Sequence, residues 1–143
     1  MTKTRFGLRQ LGMLLCLAGA LVVARPAPAA GIEHDGVTVT PVMTQELPDY
    51  PGKEAVMITV EYAPGAADPV HRHDAHGFIY VLEGSIIMGV KGGKEVTLLP
   101  GQTFHEGPKD IHTVGRNASK TKPAKFLVLL LKEKGAPILT PVK

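Results

Sequence analysis

The chain has 143 residues, enough for one modest domain and its core. Apolar residues make up 44% and charged ones 20%, a balance that excludes wholesale disorder; 16 Gly and 12 Pro without a period exclude collagen and argue against a helical bundle. The formal charge of +3 does not mark a nucleic-acid binder, because Lys3, Arg5, Arg9 and Arg25 precede every acidic residue, and beyond residue 30 twelve basic residues face thirteen acidic ones.

In chain order, residues 1–30 read as a cleaved secretory signal peptide. Lys3, Arg5 and Arg9 form a positive start, residues 11–23 are uncharged and apolar, and Ala27 and Ala29 are the small residues a signal peptidase reads. Thirteen helical residues span about 20 Å of a ~30 Å bilayer core, which is too short for a stable membrane anchor. The expected location is the periplasm or the exterior. Cys16 is the only cysteine and would leave with the leader. The remaining domain, 31–143, would then have no disulfide, no cysteine nucleophile and no Cys–zinc site.

Short apolar runs follow, separated by turn signals. Strands are expected at 37–42, 55–62, 78–83, 85–90, 95–99, 103–106, 111–114 and 125–132, with Gly or Pro between most of them. This spacing predicts an all-β sandwich or barrel. The run Phe126 to Leu131 is continuously apolar and short, as a strand buried on both faces would be. Residues 132–143 are expected to pack loosely or to pair at an edge.

Three of the six histidines fall within six residues: His71, His73 and His76. On extended backbone His71 and His73 share a face. Imidazole is the commonest neutral metal ligand, and His112, in a later short run, offers a third from a neighbouring strand. Three protein ligands leave open positions for a substrate. An His-x-His pair by itself is a weak signal, since most such pairs are solvated strand residues.

The pattern Gly65-x5-His71-x-His73-x3-Gly77-x6-Gly84 resembles the first motif of the cupin superfamily, G-x5-H-x-H-x3,4-E-x6-G. The segment Gly101-x5-Gly107-x-Lys109-x2-His112 resembles the second, G-x5-P-x-G-x2-H-x3-N. The resemblance is to small single-domain cupins and covers nearly all of 31–143, with its core at 58–131. It implies a double-stranded β-helix, or jelly-roll barrel, around a divalent transition metal, and a homodimer. Two departures stand out. The family's glutamate ligand falls on Gly77, and Asn117 lies one residue beyond the expected spacing. Strict alternation turns His76 away from the ligand face, whereas a bulge at Asp74-Ala75 would turn it inward. The ligand set is therefore His71, His73 and His112, with His76 as a fourth if the chain bulges.

A set of neutral imidazoles suits Fe, Ni, Cu, Mn or Zn better than Mg or Ca, and leaves a cationic ion to attract an anionic ligand. The expected function is a metal-dependent enzyme of dioxygenase, isomerase or lyase type acting on a small organic anion. The alternative is a non-catalytic module that binds a metal or small molecule. Arg72 should face away from the ligands. His105 and Glu106 read as a solvated strand end, with a hydrogen-bonding or acid–base role as the alternative. Phe78, Tyr80, Phe104, Met43, Met57 and Met88 read as core, and His34 as exposed.

Overall fold

A computed structural model describes residues 31–143. The proposed leader and Cys16 lie outside the described residues. Among the described residues there are eleven strands: β1 (Ile32–His34), β2 (Val37–Glu46), β3 (Lys53–Tyr62), β4 (His71–Arg72), β5 (His76–Glu83), β6 (Ile86–Val90), β7 (Val96–Leu98), β8 (Thr103–Glu106), β9 (His112–Asn117), β10 (Ala124–Glu133) and β11 (Thr140–Pro141). They form a six-stranded sheet in the order β1-β2-β3-β10-β5-β8 and a five-stranded sheet in the order β11-β4-β9-β6-β7. Every pairing between named strands is antiparallel.

Alternation decides which residues enter the core. In β3 Val56, Ile58, Val60 and Tyr62 are buried, and in β5 Gly77, Ile79 and Val81 are buried while His76, Phe78 and Tyr80 are exposed. Opposite them, Ile86 and Met88 of β6 close the interior from the second sheet. Fully burying a side chain of this size contributes roughly 1.5–3 kcal/mol. Strand β10 lies between β3 and β5, so its even-numbered residues from Ala124 to Leu130 enter the core while Leu127 and Leu129 stay half-buried outside. Its unbroken apolar run reflects that central position.

Gly84 is required at its turn. Its φ is +72°, and a Cβ there would lie 2.5 Å from the carbonyl oxygen of Pro123. The register of β10 against β5 shifts between Lys125 and Phe126, close to this approach.

Several expectations need correction. Phe78, Tyr80 and Met43 are not core residues; each is more than 40% exposed, on faces that alternate away from the interior. Lys132, at the edge of the expected tail, is buried and paired with Glu54 at 2.5 Å. The tail itself returns to the molecule as β11, which pairs with β4.

Candidate metal centre

The histidines are brought together by the second sheet. Strand β4 pairs with β9 so that His71 stands opposite His112. His73 follows immediately on the same face as His71. Within this triad the ligand nitrogens all lie within 4.8 Å of one another. His71 Nε2 is 3.1 Å from His73 Nε2 and 3.4 Å from His112 Nδ1.

The hydrogen bonds behind these rings fix which nitrogen faces inward. His71 Nδ1 donates to the carbonyl of Pro69 at 2.8 Å, and His73 Nδ1 donates to the carbonyl of Ile138 at 2.6 Å. A carbonyl only accepts, so each Nδ1 carries the ring proton and each Nε2 presents a bare lone pair. Two lone pairs 3.1 Å apart repel unless a cation lies between them. Nitrogens about 2.1 Å from one ion are about 3.0 Å apart in cis octahedral geometry and about 3.4 Å apart in tetrahedral geometry. The observed spacings match that range. Burial, as the first cause, depresses all three imidazole pKa values, and His112, next influenced by His71, falls to about 4. The rings are therefore neutral at neutral pH, the form that ligates metal. His112 Nε2 is buried without a hydrogen-bond partner, so the orientation of this ring is set by what its Nδ1 faces. The donor set, the facing lone pairs and the spacing fit a divalent transition metal.

His76 does not join them. The alternation of His73, Ala75 and Gly77 toward the interior continues through the bend at Asp74, whose φ is +49°. His76 therefore stands on the outer face, where its Nδ1 lies 3.2 Å from His105 Nε2. Arg72 also faces outward and pairs with Asp74 at 3.0 Å.

The carboxylate that Gly77 lacks comes from the neighbouring strand. Gly77 pairs directly with Glu106 of β8, and a Cβ on Gly77 would lie 3.8 Å from Glu106 Cβ. Glu106 is not a solvated strand end. It is only 3% exposed, with Oε1 3.2 Å from His112 Nδ1 and Oε2 3.5 Å from His73 Nε2. Burial first, then Asp110 and Asp68, raise its pKa to about 7. The sequence did carry a signal: Glu106 alternates with the outward His105 on a short strand. Alternation alone does not say which of the two faces the interior; the pairing with β5 decides it.

Behind the triad, Tyr62 donates a hydrogen bond to the half-buried Asp68. Burial raises the pKa of both. Gly115 makes this packing possible, since a Cβ there would lie 2.9 Å from His112 Cε1, 3.0 Å from Asp68 Oδ2 and 3.1 Å from the Tyr62 hydroxyl. Asn117 is structural. Its amide donates to the carbonyls of Ala63 and Lys122 at 3.0 and 2.8 Å, tying β9 to two loops.

The triad and Glu106 open into a cavity of about 370 Å³. Most of its wall is aliphatic or aromatic, including Val39, Ile58, Val60, Phe126, Val128 and Ile138. Among the described residues, no Lys or Arg lines it. His34 lines its rim while remaining exposed, as its sequence position suggested.

An all-β double-stranded helix with inward histidines at two adjacent strands defines a cupin-type barrel with a candidate metal site. The chain belongs to the cupin family: the profile described as Cupin domain matches residues 58–130. No curated relative is similar enough to count as a match. Among solved structures, the polyketide cyclase RemF from Streptomyces resistomycificus is 24% identical, with a TM-score of 0.57, over 76% of this chain and 72% of that one. An RmlC-like cupin from Shewanella frigidimarina is 17% identical, with a TM-score of 0.59, over 76% and 86%. A recombinant oxalate oxidase in complex with glycolate is 24% identical, with a TM-score of 0.59, over 87% and 65%. At these identities the likeness is one of fold.

Proposed function

We propose that this cupin is a metal-dependent enzyme acting on a small, largely apolar organic molecule that carries one anionic oxygen donor. The single observation that carries the reading is the contrast within the cavity: three neutral imidazoles, with Glu106 and Asp68 beside them, on a wall that is elsewhere largely apolar. A bound divalent ion would supply Lewis acidity and a strong attraction for an anion there. His71, His73 and His112 would hold it, with Glu106 as a fourth donor. The apolar walls would bind the substrate's hydrocarbon body and exclude water, and among the described residues no Lys or Arg offers a second anion its partner there.

Among the structural neighbours are a polyketide cyclase and an oxalate oxidase, so fold likeness leaves the reaction open. The test is turnover by metal-loaded protein against a panel that pairs apolar enols and aromatic monocarboxylates with short dicarboxylates. Turnover of the apolar members alone supports the reading. Turnover of dicarboxylates alone overturns the substrate class, and stoichiometric metal with no turnover across the panel favours a non-catalytic binding module.

The leader-like pattern of residues 1–30 is what favours a periplasmic or secreted location. A homodimer is the assembly that the cupin family suggests, and sedimentation of the purified chain tests it.

A further inference from the structure

The outer face carries a second histidine pair that the barrel centre does not use. The cross-strand register is Gly77↔Glu106 and Phe78↔His105, which places His76 and His105 on one diagonal of the β5–β8 ladder. His76 Nδ1 and His105 Nε2 are 3.2 Å apart, and the rings lie within 18° of parallel with centroids 5.5 Å apart. The rings are thus stacked with an offset that brings one nitrogen of each close together. Phe78 packs against His105 at a centroid distance of 5.0 Å and restricts that ring from below. Both histidines are exposed, so an ion held between them would keep open positions for water.

We propose that His76 and His105 form a surface metal site for an imidazole-preferring divalent ion, Cu²⁺, Zn²⁺ or Ni²⁺, separate from the barrel centre. The nitrogen spacing falls in the range set by two adjacent ligands on one ion, as it does inside the barrel. Two imidazoles held by paired strands have little freedom to lose on binding. Neighbouring rungs of the same ladder then serve two ions: Gly77 and Glu106 face the interior centre, while His76 and His105 face solvent. The proposal does not depend on the enzymatic reading.

The test uses the full chain without a histidine tag, stripped of metal and titrated with Cu²⁺ or Zn²⁺ by equilibrium dialysis with elemental analysis. His73→Ala should keep one bound equivalent, and both His76→Ala and His105→Ala should weaken that equivalent by about tenfold or more. Both positions are exposed, so these variants should retain the wild-type circular dichroism, which is measured alongside. In the Cu²⁺ form, electron paramagnetic resonance of His73→Ala should show nitrogen coupling that His105→Ala in the same background removes. No binding in His73→Ala, or binding that neither outer substitution weakens, overturns the proposal and leaves the pair as a hydrogen bond between two rings.

Discussion

At the residue scale, the centre depends on who supplies the negative charge. Glu106 stands across the ladder from the glycine that occupies the family's glutamate position. Replacing it by glutamine keeps its shape and removes its charge. Glu106→Gln should lower metal affinity by about tenfold or more, read by competition with a chelator. In metal-free protein the sign reverses. A carboxyl whose pKa is raised from 4.5 to about 7 costs the folded state nothing below about pH 4.5 and most above about 7. Glu106→Gln should therefore gain stability over the metal-free wild type above pH 7, by up to about 3 kcal/mol, and show no gain below about 4.5 in urea unfolding. Gly115→Ala should keep the fold but push His112 and Asp68 apart, so its expected signature is weakened metal binding with near-native circular dichroism.

The histidine triad was legible because two of its members sit at a spacing of two and the third falls within a recognisable motif. Glu106 was not, because its burial depends on pairing with a strand nearly thirty residues away in sequence. The fate of His76 is likewise settled by the fold: alternation turns it outward, and the buried Ala75 and Gly77 on either side show that alternation holds past Asp74.

At the element scale, the long strands β3 and β10 were read nearly to their ends, because β-branched and apolar residues alternate or run together there. The short strands β1, β4 and β11 carried no such signal. Two or three polar residues become strand only when a partner supplies the hydrogen bonds, as β11 does for β4. Turns were more legible than strand ends, and Gly84 marks the sharpest one. Gly84→Ala combines a left-handed φ with a backbone clash, so it should destabilise the fold by more than about 2 kcal/mol and cut soluble yield. Gly65→Ala is the control, since its φ of +75° is alike but nothing lies near its Cβ direction. It should cost roughly 1 kcal/mol, measured in the same unfolding assay.

At the scale of the whole molecule, the sandwich is pinned by a polar contact at the far end of β10. Lys132 is buried and donates to Glu54 at 2.5 Å and to the carbonyl of Ala136 at 2.6 Å. The hydrogen bond from Lys132 is the first cause that lowers the Glu54 pKa, followed by one from the Gly135 amide. A depressed carboxyl contributes stability above its unfolded value near 4.5 and loses it as pH falls through the lower folded value. Lys132→Met should flatten that acid limb and destabilise the protein at neutral pH, because Glu54 would lose its cation. The double variant Lys132→Met with Glu54→Gln should recover part of the loss. Thermal unfolding from pH 3 to 7 checks both.

The carbonyl of Ile138 that orients His73 belongs to the segment that leads into β11, and β11 is held by its pairing with β4. The rotation of one ring in the barrel is thereby latched from the rim of the second sheet. Peeling that rim strand away would let the ring turn and would cost the cluster one of its three aligned donors.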